Sequence, residues 1–324
     1  MYNKNTRRLV SVALIILLSV VFGFTTDSFF TYRNIIQLFR QAAFTGIIAC
    51  GVCFVMVGGG IDLSAGGIIC LVGVIVARTS LISGMPGIIV ILAGVVAGAV
   101  CGVFNGAVVT RLHLSEFVTT LASGSVFTGL ALLTTFREQG RIVSVTLKNK
   151  SLIFFGKTVG DIYWITIVWV AFTIIMQFVM SYTRFGLHVM AMGSHSRAAE
   201  MSGVNTRRSK ALTFVISGAL AGLAAAMLVA YQTGTNQTIG LMMEFNAIAA
   251  CVVGGIVMGG GKGDPLSAFL GALFMQLITN GLYKWGLTTG STYVMQGIVI
   301  LIAMNFDGQL NRISLKRLES QGRL

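Results

Sequence analysis

Few side chains here can do chemistry, and most of those lie in or beside apolar runs. One acid, Asp62, stands in a glycine-rich interruption, Gly58-Gly59-Gly60-Ile61-Asp62-Leu63-Ser64-Ala65-Gly66-Gly67. A carboxylate there can accept backbone amides at the start of the next helix, where the helix dipole also favours it. It can equally touch a substrate hydroxyl. Cys50-Gly-Val-Cys53 has the spacing of a redox pair, yet both thiols fall in an apolar run, as do Cys70, Cys101 and Cys251. Packing is the simpler role for all five. Gly259-Gly-Gly-Lys-Gly263 has the look of a phosphate loop. With Lys262 as the motif lysine, however, the first glycine falls on Ile256 and the hydroxyl residue on Gly263, so the motif fails.

His113, His188 and His195 have no cysteine or carboxylate at ligand spacing, so neither metal nor cofactor is expected in the chain. No acid–base pair is spaced for catalysis, and an enzyme is not expected. What remains is neutral polarity inside apolar runs, at Asn105, Thr119, Thr120, Ser123, Gln177, Asn246, Gln276, Asn280 and Gln296. Such groups suit transient hydrogen bonds to a neutral polyol, and they serve as well to bond helix to helix.

The elements that must hold these groups belong in lipid. Of the residues, 55% are hydrophobic and only 10% charged, with a mean hydropathy of +0.85, whereas soluble chains carry about 25% charge. Forty glycines without a collagen period suit close helix packing. The net charge of +13 lacks a basic cluster interleaved with aromatics, so a nucleic-acid partner is not expected; membrane lipid accounts for it.

The hydropathy pattern predicts an all-α polytopic membrane protein of about ten transmembrane helices. Leu9–Phe24 reads as a retained first helix, and Thr31–Arg40 as a short helix lying at the interface. Ala42–Val57 and Leu63–Val76 hinge on the glycine-rich break. Gly87–Val109, Phe117–Thr135, Tyr163–Met180, Ala211–Tyr231, Phe245–Met258, Leu266–Leu282 and Tyr293–Phe306 complete the set. The polar stretch Phe136–Gly160 is expected to hold a small hairpin, and Ser181–Lys210 a basic loop. Alternating the spans puts the larger share of the 23 basic residues inside, with both termini cytoplasmic.

Part of the first break recurs. Phe44-Thr-Gly-Ile-Ile-Ala-Cys50 is answered by Phe245-Asn-Ala-Ile-Ala-Ala-Cys251, 201 residues later. Gly58–Gly60 is answered by Gly259–Gly261, and Asp62-Leu-Ser-Ala65 by Asp264-Pro-Leu-Ser-Ala268. Duplication is the better account, giving a parallel internal repeat with halves of about 42–135 and 211–306 and an inner loop over 181–210.

Several further stretches belong together: Gly59-Gly-Ile-Asp-Leu-Ser64, Asn105-Gly106, Phe117-Val-Thr-Thr-Leu-Ala122, Thr183-Arg-Phe-Gly186, Gly193 with Ala198-Ala-Glu-Met-Ser-Gly203, Phe245-Asn-Ala-Ile-Ala-Ala250, Gly254-Gly255 and Gly260-Gly-Lys-Gly263. With these the chain resembles the permease subunits of ribose/xylose/arabinose/galactose-type ABC importers, from about Asn34 to Phe306. The resemblance implies the ABC importer transmembrane-domain fold, one permease domain over 1–324, in the bacterial inner membrane. It implies a second permease copy or paralogue, a periplasmic sugar-binding protein, and a cytoplasmic ATP-binding subunit that uses ATP and Mg. Ala198, Ala199, Glu200 and Gly203 would form the segment that couples to that ATPase. Gly59, Asp62, Ser64, Asn105, Thr119, Phe245, Asn246 and Asn280 would serve the translocation path or the helix breaks. Asn246 stands where family members commonly carry an acid, so the resemblance leaves the sugar or polyol open. An ion-coupled secondary sugar transporter working without an ATPase is the alternative. What drives uptake separates the two.

Overall fold

The computed structural model describes residues 4–134, 137–138, 141–142, 145–236, 239–288, 290–295, 297–298 and 301. In chain order the helices are α1 (Lys4–Thr25), α2 (Tyr32–Val57), α3 (Ala65–Ser80), α4 (Gly87–Leu112), α5 (Glu116–Thr134), α6 (Lys150–Phe154), α7 (Trp164–Tyr182), α8 (Arg184–Ser194), α9 (Ser196–Met201), α10 (Thr206–Gln232), α11 (Met243–Val253) and α12 (Pro265–Lys284). Among the described residues, α1, α2, α4, α5, α7, α10 and α12 are long and apolar enough to cross a bilayer, while α3 and α11 are shorter apolar helices. The expected span Tyr293–Phe306 and the basic tail fall largely or wholly outside the described residues.

The centre of the molecule is α2 with α10, both buried along most of their length. Small residues make this possible, among them Ala42, Ala43, Gly46 and Ala49 on α2 and Gly218 to Ala226 on α10. Around them α1, α4, α5 and α7 turn leucine, isoleucine, valine and phenylalanine outward, as helices facing lipid do. α4 lies along α10 through Gly94, Gly98, Gly102 and Gly106, one per turn on one face. A Cβ on Gly98 would sit 2.2 Å from the Gly218 carbonyl oxygen, and one on Gly218 2.3 Å from that of Gly98. The two backbones touch.

Two breaks interrupt the bundle. After α2 the chain turns at Gly58–Gly60 and climbs back, so that Asp62 reaches Ser217, the residue that also faces Gly51 on α2. α3 therefore starts part-way along its neighbours. After α11 the chain turns at Gly254 and Gly255 and runs without helix to Asp264, which caps α12 by accepting the Ser267 amide at 2.9 Å. α11 and α2 run in the same direction: Cys251 donates to the Ala49 carbonyl, and further on the Gly261 amide donates to the Val57 carbonyl at 2.7 Å.

Two expectations are corrected, and the small hairpin expected in the polar loop is present. Thr31–Arg40 is not an interfacial helix but the first turns of α2, because no glycine or proline separates Tyr32 from Thr45. Its polar groups face protein: Asn34 and Asn280 exchange side-chain hydrogen bonds at 3.1 and 3.0 Å, and the Arg40 guanidinium lies 5.0 and 4.4 Å from the Tyr163 and Tyr231 ring centres. The helix expected over Phe245–Met258 ends five residues early, at the paired glycines. In the polar loop, β1 (Arg137–Glu138) pairs with β2 (Arg141–Ile142), Arg137 opposite Ile142. Val145 instead leaves for a distant partner, as β3 (Val145–Thr146) pairs with β6 (Gly234–Thr235). A last ribbon joins β4 (Thr158–Val159) to β5 (Ile162–Tyr163).

Candidate functional site: the helix breaks, the α8–α9 segment and the polar cavities

The first break is a web of hydrogen bonds around a carboxylate with no exposed surface. Asp62 Oδ1 accepts from the Ser64 amide at 2.9 Å and from Ser64 Oγ at 2.6 Å; Oδ2 accepts from Ser217 Oγ at 2.7 Å. Ser64 Oγ in turn accepts from Asn105 Nδ2 at 2.7 Å, and Thr120 Oγ1 accepts the Leu63 amide at 3.1 Å. No cation pairs with Asp62 among the described residues. Three donors hold the charge in place of water. Asn105 Oδ1 and Thr119 Oγ1, both buried, have no hydrogen-bond partner among the described residues. Asp62, Ser64 and Asn105, picked from sequence, therefore form one cluster, with Thr119 beside it on α5. Ser217 was not picked. A lone serine in the small-residue run of α10 carries no signal of its own.

This cluster makes a prediction. Asp62→Asn keeps an acceptor for Ser64 and offers an amide to the Ser217 hydroxyl, so assembled protein and uptake should stay within about twofold of wild type. Asp62→Ala strands buried donors at about 1–3 kcal/mol each, and the yield of assembled protein should collapse. An Asp62→Asn protein that assembles normally yet imports nothing would mean that the charge itself is used.

The second break meets the first, and both meet α8. Gly59 and Gly260 adopt φ of +86° and +85°, which lets their backbones turn sharply toward each other. A Cβ on Gly260 would lie 2.7 Å from Gly59 Cα and 2.7 Å from the Gly193 carbonyl oxygen. A Cβ on Gly193 would lie 1.8 Å from the Val57 oxygen and 2.6 Å from the Gly261 nitrogen. Three glycines from three segments thus form one junction. Ion pairs fix the surroundings: Arg8 to Asp264 at 2.6 Å, and Lys210 to Glu116, whose carboxylate lies beside Gly60.

From that junction, at the end of α8, the chain passes directly into α9, which carries Ala198, Ala199 and Glu200. Ala199 is buried, Ala198 and Glu200 are exposed, and Met201 is 85% exposed. Glu200 Oε1 accepts from Thr206 Oγ1 at 2.5 Å, tying α9 to the start of α10. Gly203, at φ +84°, stops the short helix with open space around it.

The remaining sequence candidates lie apart from these. Asn280 is taken by Asn34, and Phe245 is 42% exposed. Asn246 lines a cavity of about 170 Å³ with Thr279 and Tyr283. A larger cavity of about 320 Å³ adjoins it, lined by Gln41, Gln232 and Asn236 among others, and Thr45 and Gln276 belong to both walls. Gln41 was missed from sequence because it falls between the stretch read as interfacial, which ends at Arg40, and the span expected from Ala42.

Residues 34–304 match a family model described as branched-chain amino acid transport system / permease component. The ribose import permease protein of Bacillus subtilis (strain 168) is 34% identical over 296 residues, covering 90% of this chain and 89% of the relative. The chain belongs to the permease family of ABC-type sugar importers. Other similar permeases include the fructose import permease protein of Rhizobium meliloti, 29% identical over 94% of this chain and 85% of its own. The xylose transport system permease protein of Escherichia coli (strain K12) is 28% identical over 96% of this chain and 94% of its own. No solved structure matches the chain. The matched stretch coincides with the span of the motifs read from the sequence. A permease of this family is the membrane-spanning subunit and not itself an enzyme; ATP hydrolysis belongs to a separate ABC subunit.

Proposed function

We propose that this permease, with a second copy or a paralogue, forms the path by which a neutral monosaccharide or related polyol crosses the bacterial inner membrane. A periplasmic binding protein delivers the sugar, and a cytoplasmic subunit that hydrolyses ATP with the help of Mg drives the cycle. The observation that carries this reading is the junction of Gly59, Gly193 and Gly260. It puts the exposed α8–α9 segment, with Ala198, Ala199, Glu200 and Gly203, one residue contact away from both helix breaks. A push on that segment reaches the membrane interior through backbone alone. In the same reading Gly59, Asp62, Ser64, Asn105 and Thr119 keep the first break in shape, and Asn246 faces the path. Phe245 and Asn280 belong to the walls on either side.

The ten-span count, with both termini cytoplasmic, and the parallel repeat over 42–135 and 211–306 belong to the same proposal. The common direction of α2 and α11, the matching φ of Gly59 and Gly260, and the acids Asp62 and Asp264 after each break all support it. All of 1–324 then acts as one permease domain, with 181–210 as its inner coupling loop.

One reconstitution tests this. The permease alone in liposomes should move no sugar under a proton or sodium gradient. With its ATPase, its binding protein and ATP it should import one of ribose, xylose, fructose or allose. In the same vesicles a His195→Cys permease should react with a membrane-impermeant thiol reagent only from the ATPase side, and bound ATPase should protect it. The five native cysteines are buried and give little background. Uptake by the lone subunit under a gradient, or labelling from the binding-protein side, overturns the reading.

A further inference from the structure

The two cavities between α2, α10, α11 and α12 share Thr45 and Gln276 in their walls, and Gln276 is hydrogen-bonded there. Gln276 Nε2 on α12 donates to Gln41 Oε1 on α2 at 2.5 Å. Gln276 faces both cavities and Gln41 the larger one. Among the described residues no charged side chain lines either space, so an acid or a phosphorylated sugar finds no counter-charge. The larger space, about 320 Å³, falls in the range of about 300–1,000 Å³ that small-molecule sites occupy. The smaller, about 170 Å³, is below that range and suits passage rather than residence.

The bond leaves each amide half used. Gln276 keeps its carbonyl and a second N–H; Gln41 keeps its N–H groups, and among the described residues neither makes another hydrogen bond. A carboxamide offers a donor and an acceptor side by side, which matches two adjacent hydroxyls, each of them donor and acceptor in turn. The single bond between the glutamines uses one half of each amide, and a diol can engage both halves of either.

We propose that Gln41 and Gln276 form a bar across the sugar path and bind the vicinal hydroxyls of a neutral monosaccharide, which opens the bar by taking over both amides. The exchange trades one amide–amide hydrogen bond for amide–hydroxyl bonds, so passage needs no charge and leaves no deep trap. Asn246 waits on the far side with a further amide, and Thr45 offers a hydroxyl to both spaces. This rests on the importer reading above.

The test uses the complete importer in vesicles with ATP, and whichever of ribose, xylose, fructose and allose the wild type imports. Each single-deoxy analogue of that sugar is run beside it. Wild type should favour the parent over at least one deoxy analogue by about tenfold or more, since a site that bonds a hydroxyl is left unpaired without it. Gln276→Met and Gln41→Met keep length and helix propensity but lose both bonding groups. In each, the preference should fall to about threefold or less, and the double variant should be no less selective than either single. The parent-to-deoxy ratio is internal to one preparation, so poor assembly does not mimic this result. An unchanged ratio in both single variants overturns the proposal while leaving the importer reading standing. A wild-type complex that imports none of these four, nor any of a wider panel of pentoses, hexoses and polyols, overturns the importer reading, and the bar with it.

Discussion

A Gly193→Ala permease is expected to lose uptake by about tenfold or more, with a lower melting temperature in detergent. Helix propensity predicts the opposite, since alanine within a helix is favoured over glycine by about 1 kcal/mol. Gly193 is the next-to-last residue of α8. Its added methyl would stand 1.8 Å from the Val57 oxygen and 2.6 Å from the Gly261 nitrogen, the two atoms that bond each other at 2.7 Å to tie break to break. All of these are backbone, so nothing can swing aside. Overpacking of this kind costs about 1–3 kcal/mol, and the lost tie about 1 more. Gly203→Ala makes the control: its φ of +84° is strained for alanine, but nothing lies within 4 Å. It should cost less in both assays. Equal, small effects at the two positions would mean that the junction is loose and transmits nothing.

The second large effect lies on the seam of α4 and α10. Gly98→Ala should reduce assembled permease, and Gly98→Ile should abolish it. Apolar burial gives helices in lipid little reason to associate, so close van der Waals packing has to do it. At this seam the packing is backbone on backbone: Gly102 against the Phe214 oxygen, Gly222 against the Gly94 oxygen, and Gly98 and Gly218 against each other. A methyl at Gly98 pushes the helices apart along the whole stripe. That displacement also makes room for a methyl at Gly218. The Gly98→Ala, Gly218→Ala double variant should therefore lose less stability than the two single losses added together. Strict additivity, read from melting of the assembled protein, would show that the helices do not move as a pair.

Sequence alone placed much of the scaffold. The spans expected at Gly87–Val109, Phe117–Thr135, Tyr163–Met180 and Leu266–Leu282 differ by three residues or fewer at each end from α4, α5, α7 and α12. Apolar runs bounded by charge are unambiguous when lipid is the solvent. Arg40 misled for the same reason: a guanidinium next to an apolar run reads as an interface marker. The two tyrosine rings that receive it come from much later in the chain. The glycines of α4 were visible at a spacing of four, and so were Gly218 and Gly222, but nothing in one sequence says that these two stripes face each other. The Asp62 cluster was legible up to its last member, because Ser64 and Asn105 stand out and Ser217 does not. The amides of the cavity were the hardest to read. Gln41 and Gln276 each look like ordinary helix-to-helix bonds, and only their shared position between two spaces distinguishes them.

The seam also sets a clock. Gly98 and Gly218 are 120 residues apart in the chain (218 − 98). At a synthesis rate of about 5–20 residues per second, α4 waits on the order of 6–24 s before its partner is made. Through that interval its stripe of backbone lacks α10, and α3 is the neighbour already made that packs against it, with Val76 beside Gly94. Ile88, Ile89, Leu92, Val96, Val100 and Val103 on its outward side must supply most of what keeps it inserted. Weakening those residues would leave the finished contacts intact and still lose the protein, because α4 would leave the bilayer before α10 arrived.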